Sequence, residues 1–328
     1  MAALADPSLP AVRDGWSRLA EEHGSVFATP EWLLLWWQHF GAGRELLLSV
    51  EDDAVLPFYV WRERPLRIVR VLGHGPGDEL GPFGEGARDA LRRWLGRARF
   101  DVLACQQLPG PESWLGALPG GVVLSRNGSP VLDFEGRSWK ELLAGKSRNF
   151  REQVGRRARA LERAFDVRYR LVPGTDGLDE ALDAFFLLHV QRHGRASIIA
   201  RTEAFQREFA AVAAARGWLR LWLLELDGRP AAAWLGFRFA GAEHYYTAGR
   251  DPAYDRHSVA FVLLAHTIRA AVEDGAREYR FLRGDEPYKY RFADADPGLE
   301  TIVVARGAVA RAALVGLRFA RRLPIRNA

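Results

Sequence analysis

The segment LRLWLLELDGRPAAAWLGFRF, Leu219–Phe239, is two apolar runs joined by Asp227-Gly228. Asp-Gly between such runs is a strong hairpin signal, because both turn positions of the favoured two-residue loop need positive φ. The spacing predicts two antiparallel strands. Toward the C-terminus, EHYYTAGRD (243–251) reads as a third strand and SVAFVLLAHTIRAAVEDG (258–275) as a helix. In that helix Phe261, Leu264, Ala265, Ile268, Ala271 and Val272 share one side, and Gly275 is the stop. REYRFLRG (277–284) is then another strand. The order is hairpin, strand, helix, strand.

The same order occurs earlier in the chain. RELLLSVEDDAVLPFYVWRERP (44–65) reads as a hairpin around Glu51-Asp52-Asp53, and LRIVRVLG (66–73) as the third strand. ARDALRRWLGRA (87–98) is a helix, and FDVLACQQLP (100–109) is a strand. Two copies of one order predict an internal duplication, and 328 residues accommodate two domains. The expected class is mixed α/β (α+β): tandem domains, each a mixed, mostly antiparallel sheet flanked by helices. The boundary is expected near residues 128–137, which divides the chain into 1–132, 133–305 and a basic amphipathic tail, 306–328.

Between these copies lie further helices. FATPEWLLLWWQHFGAG offers Thr29 as N-cap, Pro30 at the first helical position, and Trp32, Trp36 and Phe40 on one face. A long helix is expected from Ser138, opened by the capping box SWKE (Ser138 with Glu141). Phe150, Val154, Ala158, Leu161 and Phe165 form its apolar stripe, and Arg148, Arg151, Arg156, Arg157, Arg159 and Arg163 its basic face. LDEALDAFFLLHVQRHG and TEAFQREFAAVAAARG add two more helices.

Hydrophobic content of 48% and charged content of 27% are ordinary for a soluble globular protein. A net charge of +5 admits acidic or phosphate-bearing partners without establishing them. Cys105, the single cysteine, lies in an apolar run and reads as a core thiol. One cysteine excludes an intrachain disulfide and fits a reducing cytosol, so a cytoplasmic location is expected. MAALADPSLPAVRDGW lacks the basic-then-apolar pattern of a signal peptide, and no apolar run reaches the roughly 18 residues of a membrane span. The glycines of GHGPG (73–77) do not make a dinucleotide loop, because Pro82 and more glycines intervene before any helix.

The densest chemistry lies in FLRGDEPYKYRF, Phe281–Phe292, directly after the last strand. Only three of the 46 basic residues are lysines, and Lys289 is one of them. Asp285 and Glu286 can handle protons, or can settle as ion pairs with Arg283, Lys289 and Arg291. Lys289 can hold an anionic ligand or bridge Glu286. Tyr288 and Tyr290 are candidate proton donors, in competition with Tyr245, Tyr246 and Tyr254. His189 and His193, four apart on one helix, lack a third ligand or HExxH motif, so no metal is expected. In the tail, Arg306, Arg311, Arg318, Arg321, Arg322 and Arg326 alternate with apolar residues. Such a helix packs on the C-terminal domain or lies on an anionic membrane.

Hairpin, strand, helix and strand form the core of the GNAT acyltransferase fold, and two in tandem resemble the FemAB-like group. More closely, the chain resembles bacterial acetyltransferases of the cellulose-biosynthesis CelD-like group. The stretches that carry this are TPEWLLLWWQHFG, KSRNFREQVGRRARALE, GRPAAAWLGFRF, YYTAGRDPAYDRHS and, most specifically, REYRFLRGDEPYKYRF. They span about residues 25–300. The resemblance implies direct attack of an amine or hydroxyl on the thioester of acetyl-CoA or another acyl-CoA. The carbonyl would be polarised by a backbone N–H where two strands splay apart. It implies catalytic roles for Asp285, Glu286, Tyr288 and Lys289. It places the donor at Arg256, His257, Ser258 and Tyr246, and the acceptor at Arg148, Asn149, His189, Trp234 and Arg283. The family's phosphate loop is glycine-rich, whereas this chain has Ser258-Val259-Ala260 there. The implied acceptor is a small molecule, a saccharide or a cell-envelope precursor. FemAB relatives use aminoacyl-tRNA as donor, which leaves tRNA as the alternative partner, and an accessory role in polysaccharide synthesis as a non-catalytic one.

Overall fold

A computed structural model describes residues 10–63, 65–110, 113–172 and 174–322. Residues 1–9, which begin the stretch read above for a signal peptide, and Arg326 of the tail lie outside the described residues. The chain forms two compact units: Met1–Gly128 together with Pro297–Ala328, and Ser129–Asp296.

The first unit opens with helices α1 (Pro10–His23) and α2 (Pro30–Phe40). Thr29 caps α2 by accepting from the Trp32 N–H at 3.2 Å, with Pro30 in the first turn. Strands β1 (Glu45–Val50), β2 (Val55–Glu63) and β3 (Leu66–Val71) form an antiparallel meander. Helix α3 (Ala87–Arg97) then crosses to β4 (Val102–Pro109), which pairs parallel to β3. Strand β5 (Gly121–Asn127) completes the first stretch of this unit. Phe58, Val60, Val69, Leu91, Leu103 and Cys105 are fully buried. Burial pushes the Cys105 thiol up to about 12, as befits a core residue.

In the second unit β6 (Val131–Asp133) is followed by α4 (Trp139–Ala144) and α5 (Arg148–Ala164). The capping box of Ser138 and Glu141 is present at α4. The single long helix expected from Ser138 is divided, because Ser147 caps a new one by accepting from the Phe150 N–H. Strand β7 (Val167–Leu171), helices α6 (Leu178–His193), α7 (Ile198–Arg201) and α8 (Glu203–Ala215), and the hairpin of β8 (Leu219–Leu226) and β9 (Arg229–Phe239) come next. Asp227 and Gly228 have φ of 49° and 77°, the positive pair the hairpin turn requires. Strand β10 (Ala242–Arg250), helix α9 (Val259–Glu273), strand β11 (Glu278–Arg280) and helix α10 (Pro287–Tyr290) complete the unit.

Its sheet runs β6-β11-β10-β9-β8-β7, antiparallel except between β10 and β11. One face packs α5 and α9 through Phe150, Val154, Leu161, Val262 and Ile268, over Trp234, Tyr245 and Tyr279. The other face meets α6 and α8, where Phe209 stacks edge-on against Phe237.

The last strand corrects the expected division. β12 (Leu299–Ala305) was assigned to the second domain, but it inserts between β4 and β5 in the first sheet, antiparallel to both. Helix α11 (Gly307–Arg322), expected against the C-terminal domain, therefore follows β12 into the first unit. Arg306 fastens this end by donating to the Leu95 and Ala98 carbonyls at 2.6 and 2.9 Å. Among the described residues no helix is long and apolar enough to cross a membrane.

Candidate active site

The second sheet opens at one point. β10 and β11 pair over three positions, Ala242 with Glu278, Glu243 with Tyr279, and His244 with Arg280. β10 then continues to Arg250, while β11 stops. A bulge lies in β10 between Tyr245 and Thr247, where its register with β9 slips by one residue. Bulges re-aim side chains and end pairing, and they collect near functional sites. After β11 the chain turns through Leu282 (φ 55°) and Gly284 (φ 134°). A Cβ on Gly284 would lie 2.1 Å from Glu286 Oε2 and 2.7 Å from Lys289 Nζ, so the turn needs glycine.

This turn delivers FLRGDEPYKYRF to the opening. Lys289 is 3% exposed and is not a surface ligand for anions. Its ammonium sits 2.9 Å from Glu286 Oε2 and donates to the Arg283 carbonyl at 2.8 Å, so it ties the loop to the helix after it. Glu286 is half-buried. Burial pushes its carboxyl upward, but the Lys289 charge and hydrogen bond, with Arg192 nearby, outweigh this and hold it below the usual range. It is an ionised group at neutral pH. Asp285 is exposed, and Tyr290 donates to it at 3.4 Å and to Asp296 at 2.7 Å.

Tyr288 donates to the Tyr245 hydroxyl at 3.2 Å, and the two rings meet edge-on. Burial, followed by the Tyr245 and Glu286 neighbours, raises the Tyr288 phenol far above its ordinary range. It therefore keeps its proton and can donate a hydrogen bond. At the end of α6, His193 is exposed and stacks near His189, with ring centroids 4.6 Å apart. Burial of its ring and the charge of Arg192 lower the His193 pKa, while Glu286 acts in the opposite sense. His193 is neutral at pH 7 and can accept a proton.

Several expected site residues lie elsewhere. His189 is buried, with Nε2 2.9 Å from Ser197 Oγ, and burial together with His193 lowers its pKa to about 4. It braces α6, and the solvent-facing histidine is His193. Trp234 is 1% exposed beneath Tyr245, because β9 is a central strand covered on both faces. Tyr246 accepts from the buried Gln206 of α8 at 2.9 Å. The bulge turns it to the α6–α8 face, away from the helix that follows β10. Arg148 and Asn149 are exposed in the first turn of α5, and Arg148 pairs with Glu152 at 2.7 Å. Arg283 contributes its backbone carbonyl to Lys289, as described above. Sequence reading missed Arg192, whose signal was its place with His193 in the last turn before Gly194. It also missed Arg250, which pairs with Asp255.

The first turn of α9 is open. Ser258 adopts a left-handed conformation (φ 57°) and makes no side-chain cap to the helix. The N–H groups of Val259, Ala260 and Phe261 precede the first intrahelical bond, and such a terminus favours anions. Arg256 is exposed, and its Nε donates to His257 Nε2 at 3.0 Å. Arg157 and Arg291 lie 4.7 and 5.7 Å from the centroid of the Phe261 ring in this turn. Burial, followed by the charges of Arg291 and Arg156, lowers the Arg157 pKa. These residues fit a phosphate-bearing donor. Among the described residues no three His, Cys, Asp or Glu side chains cluster as metal ligands.

Comparison with known proteins agrees with this architecture. Residues 148–290 match the acetyltransferase (GNAT) domain family. Among solved structures, FemX superposes with a TM-score of 0.65 at 11% identity, covering 93% of this chain and 98% of FemX. L-PGS from Bacillus licheniformis gives 0.57 at 11% identity, with 94% and 97% covered. A conserved protein of unknown function from Bacteroides thetaiotaomicron gives 0.61 at 13% identity, with 92% and 99% covered. No curated protein matches the chain. At these identities the structural likeness speaks for the fold. The chain has a tandem GNAT-like fold shared with FemX, and its second unit holds the stretch, residues 148–290, that matches the acetyltransferase (GNAT) domain family.

Proposed function

We propose that the second unit transfers an acyl group, acetyl in the first instance, from acyl-CoA to an amine or hydroxyl of a small-molecule or saccharide acceptor. The observation that carries this reading is the parting of β10 and β11 beside Tyr245 and Tyr288, next to the open first turn of α9. Acyl-CoA brings an activated thioester carbonyl. The unpaired edge of β10 beyond His244 offers backbone N–H groups to polarise a carbonyl, worth most where water is excluded. The α9 terminus with Arg157, Arg256 and Arg291 supports holding the donor's phosphates. His193, neutral and paired electrostatically with Glu286, takes the proton from the attacking amine or hydroxyl. Tyr288 keeps its phenolic proton and donates a hydrogen bond to the leaving thiolate. Asp285 and Lys289, first expected to act chemically, are assigned to shaping the loop.

The crowded arginines also suit the phosphates of an aminoacyl-tRNA donor, so the test needs both arms. Calorimetric titration with acetyl-CoA and with desulfo-CoA is expected to show saturable binding of both. Binding of neither ligand, with salt-sensitive binding of aminoacyl-tRNA instead, would replace the CoA reading with the tRNA one. A protein that binds none of the three is non-catalytic by this measure. We further propose that α11, with Val309 and Val315 exposed beside Arg311, makes peripheral membrane contact. The full chain should then float with anionic vesicles at low salt, and failure to float removes the idea.

A further inference from the structure

The first unit repeats the opening of the second. β3 and β4 also pair in parallel over three positions, Ile68 with Val102, Val69 with Leu103 and Arg70 with Ala104. β3 then ends at Val71, while β4 runs on to Pro109. A register slip in β4 against β12, between Leu108 and Cys105, follows at once. Side chains two apart on a strand share a face. Arg70 sits opposite Tyr59 across β2–β3 and opposite Ala104 across β3–β4, and Gln106 is two residues beyond Ala104. Tyr59, Arg70 and Gln106 thus share one face at the opening.

Each of these three side chains buries a polar atom that has no partner at hydrogen-bond geometry among the described residues: the Tyr59 hydroxyl, Arg70 Nε and Gln106 Oε1. The Arg70 guanidinium nonetheless lies close enough to the Tyr59 hydroxyl to draw its pKa down against the rise from burial. Tyr59 is fully buried. Such groups are costly to leave unmade, and three together on one face call for a common partner. Two cations frame them. The Arg44 guanidinium lies 3.9 Å from the Trp61 ring centroid and 5.6 Å from that of Tyr59, and Arg70 lies 5.2 Å from Trp61. Among the described residues neither Arg44 nor Arg70 pairs with a carboxylate. The donors are guanidinium and phenol groups, and the one bare acceptor is an amide oxygen. That set matches an oxyanion carried next to a hydroxyl or N–H.

We propose that the first unit, which carries no acetyltransferase-family match, binds a small oxyanionic ligand at the β3–β4 opening through Arg44, Arg70 and Tyr59, with Gln106 accepting from a neighbouring hydroxyl or N–H. The oxyanion is a phosphate or a carboxylate, and two probes separate them. Glycerol 3-phosphate and glycolate each place a hydroxyl beside the anion. Calorimetry on the full chain is expected to show saturable binding of one of them, which names the source. Arg70→Gln and Tyr59→Phe should each weaken that binding by about tenfold or more. Tyr59→Phe serves also as a control on folding. It removes an unpartnered buried hydroxyl, so the ligand-free protein should melt no lower than wild type. Failure of both probes at millimolar concentration overturns the proposal. So does binding that survives Arg70→Gln unchanged, or a Tyr59→Phe protein that is markedly destabilised, since its hydroxyl would then be satisfied within the fold.

Discussion

Replacing Lys289 or Glu286 gives an ordered pair of stability losses. Lys289→Met keeps the volume of the stem but removes a buried ammonium. The Arg283 carbonyl, which accepts from it at 2.8 Å, loses a charge-assisted hydrogen bond worth about 1.5–3 kcal/mol. The Glu286 carboxylate loses its partner at 2.9 Å, but its side chain is 52% exposed. Water recovers most of that term, which is discounted to about 1 kcal/mol or less. The expected loss is about 2–4 kcal/mol. Glu286→Gln does the converse. It takes the carboxylate partner from an ammonium whose side chain is only 4% exposed, and removing one member of a buried ion pair costs about 3–5 kcal/mol. The carboxylate variant should therefore be the less stable of the two, although the carboxylate is the more exposed partner. The double variant should fall short of the sum by about 1–2 kcal/mol. Urea unfolding followed by fluorescence of the 11 tryptophans measures this, with each transition fitted separately if the two units melt in steps. If Lys289→Met costs more than Glu286→Gln, or less than about 0.5 kcal/mol, the buried-ammonium reasoning is wrong.

Other outcomes are expected. A Cβ at Gly249 would lie 2.4 Å from the His189 backbone nitrogen, so Gly249→Ala should force α6 off β10 and cost roughly 3 kcal/mol, read by chemical denaturation. His189 has a folded pKa of about 4, below its unfolded value near 6.5, so the unfolded chain takes the proton first. The stability it confers is complete above pH 6.5 and falls as pH drops toward 4, by on the order of 2–4 kcal/mol. In His189→Leu that part of the acid limb should flatten; an unchanged limb refutes the assignment. Under the acyltransfer reading, Tyr288→Phe and His193→Ala should each lower kcat by about 100-fold or more, with acetyl-CoA affinity nearly unchanged, measured by thiol release and calorimetry. A loss of affinity without loss of kcat would move both residues to binding roles.

Local signals in the sequence proved the most legible. Asp227-Gly228 announced its hairpin because the turn geometry admits few residues, and Ser138 with Glu141 announced a helix start because the cap is built from neighbours. The duplicated order of elements gave the two sheets for the same reason. The destination of β12 was illegible, because an apolar strand does not name a partner that lies almost 200 residues earlier. The site was half legible. FLRGDEPYKYRF was found by its density of charge, and of the two readings of Lys289 the structure makes the bridge to Glu286. Trp234 and Tyr246 were misplaced because burial on both faces of β9 and a bulge in β10 are tertiary facts.

The late arrival of β12 has a consequence for synthesis on the ribosome. The second unit is a continuous segment and can close as soon as Asp296 has emerged. The first unit cannot, for the strand that joins β4 to β5 is made after the whole of the second. Until then both strands present bare edges, the surfaces through which nascent chains pair wrongly. At about 5–20 residues per second this vulnerable interval lasts roughly ten seconds or more. Chaperone dependence should accordingly concentrate on the first unit, and a chain cut after Asp296 should release it unfinished.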